Sequence, residues 1–205
     1  YDRGTPWMHT ITDAEPHGTQ PMSLRDIIVH SSNIGTLLLT DEVGTERFGA
    51  YLESFGFGQK TALDFPNESA GLFKPASEWQ GTERQSHSYG YGYSVTALQL
   101  AAAVNTVANG GVYVAPKLVE AVIGADGEVT DTPAAATHQV IQPATAATMT
   151  DMMKGVVCEG TGKGAQIPGI SVAGKTGTAY KVQDDNTYGA AGTRAYRASF
   201  VGYFP

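Results

Sequence analysis

One cysteine, Cys158, stands in a chain of 205 residues. A disulfide framework is thereby excluded, and so is a cysteine-rich zinc site. Cys158 reads as a half-buried helix residue rather than a reactive thiol. The five histidines are scattered and form no His-Glu-x-x-His pair. No metal site is indicated, and no cofactor is expected. Charged residues make up only 16% of the chain, and the net charge is −7 with no basic cluster. That balance speaks against nucleic-acid binding. No run of about 18 apolar residues occurs, so no transmembrane helix is predicted, and no signal peptide is visible. Hydrophobic residues reach 41%, enough for one real core. The remainder is rich in Gly (25 residues), Ala, Ser and Thr, as in secreted or cell-surface proteins. Neither Tyr1-Asp2-Arg3-Gly4 nor Ser199-Phe200-Val201-Gly202-Tyr203-Phe204-Pro205 reads as a natural terminus, and the chain reads as an internal segment.

Residues 1 to 20 are polar and broken by Pro6, Pro16 and Gly18, which predicts loop. A helix is predicted after Pro21, with Ser23 as N-cap and Met22, Leu24, Ile27 and Ile28 as its apolar face. It ends around Ser31-Ser32-Asn33; a second apolar stretch runs from Ile34 to Val43, so residues 21 to 44 are predicted helical. Thr45 is then expected to cap a third helix carrying Phe48, Tyr51, Leu52 and Phe55. Residues 59 to 90 show little periodicity and predict an irregular excursion. Ser94-Val95-Thr96 opens a further helix, stopped by Asn109-Gly110-Gly111. Val112 to Val122 alternates like a strand, and Gly124-Ala125-Asp126-Gly127 reads as a turn. Thr145 to Val157 predicts an amphipathic helix with Met149, Met152, Met153, Val156 and Val157 toward the core. Residues 170 to 180 and 198 to 204 predict paired antiparallel strands. Helices first and an antiparallel pair late favour α+β over alternating α/β.

Two short motifs carry the chemistry. Ser31-Ser32-Asn33 offers a hydroxyl that both accepts and donates a proton, and an amide able to bind a peptide carbonyl. Lys175-Thr176-Gly177-Thr178 lies 144 residues further along. On a strand, Lys175 and Gly177 share one face and Thr176 and Thr178 the other. An edge strand also accepts an extended peptide by strand addition. Gly177 removes a side chain where a substrate would lie close, and the Lys175 cation suits a peptide carboxylate. The same stretch, Gly169 to Thr176, matches the phosphate-loop pattern G-x-x-x-x-G-K-[ST]. Pro168 precedes it, however, and Thr176-Gly177-Thr178-Ala179-Tyr180 is a poor helix start, whereas a phosphate loop needs a helix there. The nucleotide-binding reading is set aside on that ground.

Taken together, these segments resemble the transpeptidase domain of class B penicillin-binding proteins. The resemblance spans most of the chain. It rests on Ser31-Ser32-Asn33-Ile34-Gly35, Phe55-Gly56-Phe57-Gly58, Asp64-Phe65-Pro66 and Gly90-x-Gly92-x-Ser94-Val95-Thr96-x-x-Gln99-Leu100. It continues through Ala108-Asn109-Gly110-Gly111, Gly160-Thr161-Gly162, the Lys175 motif and Ser199-Phe200-Val201-Gly202. Many members carry Gln between the two glycines where this chain has Tyr91. The third signature, Ser-x-x-Lys, is missing: no serine here is followed three residues later by lysine.

The resemblance implies an antiparallel sheet flanked by helices, with a helical subdomain beside it and a cleft between. Residues 1–205 would be a partial transpeptidase domain holding the second and third motifs. It implies D,D-transpeptidation of peptidoglycan stem peptides ending in D-Ala-D-Ala, through a serine acyl-enzyme that β-lactam antibiotics also form. Ser31 would shuttle a proton to the leaving amine, Asn33 would bind the substrate amide, and Lys175 would act electrostatically. Thr176 and Thr178 would grip the terminal carboxylate beside Gly177, and the Thr178 N–H would form half of an oxyanion hole. The nucleophile would lie upstream of Tyr1. The resemblance also implies a membrane-anchored bacterial protein with an extracytoplasmic catalytic domain, meeting cell-division or elongation membrane proteins through a region outside this chain. The Ser31 to Gly35 stretch and the Gly-rich block lean toward the septal branch. A serine β-lactamase or D,D-carboxypeptidase and a β-lactam-sensing binding domain share the motifs and stay open as alternatives.

Overall fold

The computed structural model describes residues 10–15, 17–63, 65–184, 187–189, 192 and 194–204. Of the loop expected over residues 1 to 20, residues 1–9 and Pro16 lie outside them, as does Asp64 of the Asp64-Phe65-Pro66 motif. Six α-helices and six β-strands alternate in blocks among the described residues, an α+β arrangement.

Helix α1 (Leu24–His30) starts where the sequence asks: Ser23 and Asp26 exchange hydrogen bonds in a capping box. Its core face is Ile27 and Val29, while Leu24 is 53% exposed and does not belong to it. Residues 21 to 44 are not continuously helical. Ser31 adopts the left-handed conformation (φ 58°), and its N–H and that of Ser32 reach back to Ile28 and Ile27 carbonyls. Ser32 then caps α2 (Asn33–Val43), accepting from the Gly35 N–H. Helix α3 (Thr45–Ser54) takes its N-cap from Gly44, at φ 82°, rather than from Thr45, because the sharp exit from α2 needs a positive φ there.

The expected excursion over 59–90 is irregular but tied down. It contains a short 3₁₀ turn, Ala76–Glu78, and α4 (Glu83–Ser88). Buried His87 stacks between Trp79 and Tyr93, with ring centroids 4.5 and 5.2 Å away. Gln99, with no exposed surface, completes a capping box on Thr96 at the start of α5 (Ala97–Ala108). Its Nε2 also donates to the Gln59 and Ala70 carbonyls. A buried amide thus satisfies groups from the excursion that would otherwise be left unpaired.

The strand expected over Val112 to Val122 is two strands. β1 (Val112–Val114) pairs with β4 (Thr137–Gln139), and β2 (Ala121–Ile123) pairs with β3 (Val129–Asp131) across the turn at Gly124–Gly127. Pro116 separates them because it has no N–H for a ladder. Helix α6 (Pro143–Cys158) buries Ala146, Met153, Val156 and Val157, but Cys158 is exposed at its last position. The final hairpin, β5 (Ala173–Tyr180) with β6 (Tyr196–Tyr203), runs antiparallel with Lys175 opposite Val201 and Thr178 opposite Ala198.

Helix α6 is the platform that positions the site, because α1 and β5 both pack on it. The approach of α1 is close. A Cβ on Gly155 of α6 would lie 2.9 Å from a Val29 methyl, and one on Gly160, just past the helix, 2.3 Å from the Val29 carbonyl oxygen. Gly160→Ala is therefore expected to destabilise the protein by about 1–3 kcal/mol, since backbone must move. Gly164→Ala, where nothing lies within 4 Å, serves as the control. Thermal unfolding of both variants checks this; equal midpoints would remove the close approach as the reason for that glycine.

Candidate functional site

The left-handed turn at Ser31 aims its side chain away from the helix axis and across the gap to β5. Lys175 Nζ lies 2.7 Å from Ser31 Oγ and 3.0 Å from the carbonyl oxygen of Thr176, donating to both. The positive φ at Ser31 is uncommon for a residue with a Cβ, and it persists where surrounding contacts over-determine it.

Those contacts come from a segment whose sequence predicts only loop. Asp13 Oδ1 accepts from the Ile34 N–H at 3.0 Å, and Asp13 Oδ2 accepts from Ser32 Oγ at 2.8 Å. The His17 ring sits 2.7 Å from the same carboxylate oxygen. Burial pushes the Asp13 carboxyl up, yet the Ile34 N–H, the His17 ring, the Ser32 hydroxyl and the Asn33 N–H more than offset it and hold it below its ordinary value. For His17, the Gly18 carbonyl and then Asp13 raise the ring's proton affinity. The Asp13 carboxylate also sits at the N-terminus of α2, where negative charge is favoured. The Ser31-Ser32-Asn33 turn is thus clamped from outside as well as from within.

Asn33 is placed at the first turn of α2, and its side-chain Nδ2 donates to the Thr12 carbonyl at 2.9 Å. Ser31 and Lys175 are brought together, whereas the Asn33 amide is turned to the same outer segment as Asp13. Thr176 meets Thr161, which follows α6: the two hydroxyl oxygens are 2.6 Å apart. Thr161 belongs to the Gly160-Thr161-Gly162 stretch, visible in the sequence without a role. Gly177 has an internal reason for lacking a side chain, since a Cβ there would lie 2.8 Å from Ser199 Oγ. Thr178 is exposed on β5.

The register fixes which backbone groups of β5 are open. Lys181 N–H donates to the Ala195 carbonyl across the hairpin. In an antiparallel ladder, alternate residues turn their N–H and C=O to the partner strand. Odd-numbered positions of β5 therefore face β6, and Thr176, Thr178 and Tyr180 face the other edge. The N–H of Thr178 consequently points to the same side as the Lys175–Ser31 contact.

Burial lowers the Lys175 pKa by disfavouring its charged form. A lysine so tuned exchanges a proton more readily near neutral pH than an exposed one does. Because Ser31 Oγ accepts from Nζ, its own O–H remains available to donate. The pair can therefore pass a proton to a basic leaving group while an ammonium field sits close by. No group of three or more potential metal ligands occurs among the described residues. The phosphate-loop reading fails on structure: Lys175 lies inside a strand that continues to Tyr180, where a phosphate loop needs a helix.

A family model described as the penicillin binding protein transpeptidase domain matches residues 3–205. Penicillin-binding protein PbpB of Mycolicibacterium smegmatis is 41% identical over 180 residues, covering 84% of this chain and 28% of the relative. Stage V sporulation protein D of Bacillus subtilis is 34% identical over 193 residues, covering 92% of this chain and 29% of the relative. Among solved structures, penicillin binding protein 3 from Mycobacterium tuberculosis, complexed with aztreonam, matches with a TM-score of 0.87 at 35% identity, covering 95% of this chain and 44% of that one. The chain thus spans under a third of the length of these curated relatives.

Proposed function

The chain belongs to the penicillin-binding protein transpeptidase family, and from that premise we propose that residues 1–205 form part of a D,D-transpeptidase domain. The chain supplies the second and third motifs of a site that cross-links peptidoglycan stem peptides. The observation that carries this reading is the 2.7 Å contact between Lys175 Nζ and Ser31 Oγ, which joins two motifs 144 residues apart.

A serine from a Ser-x-x-Lys segment outside these residues attacks the carbonyl between the two terminal D-alanines. The C–N bond breaks, and Ser31 delivers a proton to the departing D-Ala amine while Lys175 replenishes it. The Thr178 N–H, on the open edge of β5, faces the developing oxyanion. Thr176 and Thr178 hold the terminal carboxylate alongside Gly177, with Thr161 orienting the Thr176 hydroxyl. Asn33 is the motif's group for the substrate amide, and taking it requires the Asn33 side chain to turn from the Thr12 carbonyl. An amine of a neighbouring strand then attacks the ester, forms the new amide and releases the serine. β-Lactams acylate the same serine. The intact protein is a membrane-anchored bacterial enzyme of septal division, with its catalytic domain outside the cytoplasm and its cell-division or elongation partners met elsewhere in the protein. Among the described residues no helix is long and apolar enough to cross a membrane.

The test uses the intact product of the reading frame that carries this chain. It is expected to take a fluorescent penicillin covalently, to release it slowly, and to liberate D-Ala from a D-Ala-D-Ala stem peptide when an acceptor amine is present. Rapid release of the label marks a β-lactamase. A persistent label without D-Ala release marks a sensor. Either outcome overturns the transpeptidase reading.

A further inference from the structure

The open edge of β5 is shorter than the strand. An extended ligand adding to this edge needs the N–H and C=O of alternate residues, here Thr176, Thr178 and Tyr180. The Thr176 carbonyl already accepts from Lys175 Nζ. At the far end, the Tyr180 N–H donates to the hydroxyl oxygen of Tyr91, 2.9 Å away and 89 residues distant in sequence. Thr178 lies between these two occupied positions.

We propose that Tyr91 is a specificity-determining residue that stops strand addition at Thr178, its hydroxyl occupying the backbone N–H that a longer ligand would need. The inference rests on the transpeptidase reading for the identity of the ligand, a peptide or a peptide-like β-lactam side chain. Tyr91 is the residue at which this chain departs from the glutamine common between the two glycines, and the mechanism does not use it.

The stop is held in place from several sides. Gly90 and Gly92 flank Tyr91 at φ 91° and 84°, a path that residues with a Cβ rarely follow. The Tyr91 N–H donates to the Ser86 carbonyl, and a Cβ on Gly92 would press on the buried His87 ring at 3.2 Å. The Tyr91 ring packs against Tyr89, Tyr180 and Tyr188, with centroids 5.7, 6.1 and 5.7 Å away. Burial pushes the phenol pKa up, so the hydroxyl stays neutral through the physiological range. A phenol oxygen fixed in this way caps one backbone donor and leaves the neighbouring Thr178 position free for a single ligand amide.

The consequence is a limit on ligand length along the strand. A ligand carbonyl paired with Thr178 has its next in-register acceptor about 6.5–7 Å further on, two residues along the extended chain. That acceptor would meet the Tyr180 N–H if Tyr91 did not. The relevant variant is Tyr91→Phe, which keeps the ring packing and removes only the hydroxyl.

Two readouts in the intact protein test the proposal. Hydrogen exchange at the Tyr180 amide is expected to be about tenfold or more faster in Tyr91→Phe than in the wild type. The second readout is acylation by penicillin G compared with a penicillin whose acyl side chain is a dipeptide. The ratio of long-ligand to short-ligand acylation rates is expected to rise about fivefold, the worth of one added hydrogen bond. An unchanged Tyr180 exchange rate overturns the stop, and so does a released amide with an unmoved rate ratio. If neither compound acylates the wild type, it is the transpeptidase reading that falls. The amide exchange then decides alone: release in the variant upholds Tyr91 as the cap of this edge, and equal rates overturn it.

Discussion

Lys175→Ala in the intact protein is expected to slow acylation by penicillin by about two orders of magnitude or more, the usual cost of losing an electrostatic donor aimed at a reacting centre. The ammonium sits 2.7 Å from Ser31 Oγ and is half-buried, where charge acts more strongly than in water. Stability should respond far less. Losing a hydrogen bond from a charged group costs about 1.5–3 kcal/mol. Burial already disfavours this cation, so removing it also relieves a desolvation penalty of opposite sign. Stopped-flow acylation and thermal unfolding of the same preparation separate the two effects. Near-wild-type acylation rates in the variant would reduce the motif to a structural strand. Lys175→Arg is not a conservative rescue, because a planar guanidinium cannot occupy the position of a point donor shared between Ser31 and the Thr176 carbonyl.

The second large effect is all-or-none: residues 1–205 produced alone should take no covalent penicillin, whereas the intact protein should. The contrast is sharp because a serine within hydrogen-bond reach of a lysine with lowered pKa is also how a nucleophile and its base are arranged. Ser31 is assigned to proton transfer because it belongs to the second motif, and no serine in the chain carries lysine three residues on. The isolated chain should also associate, since β6 pairs only with β5 among the described residues and carries Tyr196 and Phe200 63% and 43% exposed. Labelling of both preparations, followed by mass-spectrometric mapping of the modified serine, decides the matter. A penicilloyl group on Ser31 would make it the nucleophile and Lys175 its base, in place of a proton-transfer pair.

Local signals carried much of the fold. The helix at Ser23 and the one opened by Ser94-Val95-Thr96 could be placed from a capping residue ahead of an apolar face, and the structure completes each cap with a partner three residues on, Asp26 and Gln99. The terminal hairpin was visible from strand character on both sides of a polar stretch. Its pairing put Lys175 in a strand, which disposed of the phosphate-loop match. The Met and Val stripe of α6 faces the core as its spacing requires, with Met153, Val156 and Val157 buried.

Other features depended on contacts that no local window contains. Cys158 and Leu24 sit at helix positions whose exposure is decided by where the neighbouring elements stop, and both are exposed. An end to the first helix around Ser31-Ser32-Asn33 is legible in the sequence, but the left-handed conformation of Ser31 that makes the break is not. Asp13, 18 residues upstream of Ser31, supplies the carboxylate that clamps the turn, yet it looks like any other loop aspartate. Thr161 and Tyr91 were visible within family-like stretches, but their partners, Thr176 and Tyr180, are set only when α6 and the turn after α4 lie beside β5.

By itself the sequence determined the types of element, the chemistry on offer at Ser31 and Lys175, and the lack of a Ser-x-x-Lys nucleophile. These follow from side-chain identity and near-neighbour spacing, which act over one or two helical turns. The tertiary structure decided that Ser31 turns left-handed toward Lys175, that Asp13 holds it there, and that Tyr91 caps the strand beyond Thr178. Each of those is a hydrogen bond between groups brought together by α6 or by loop closure. Such a bond exists only once packing has offset the entropy of closing the intervening chain.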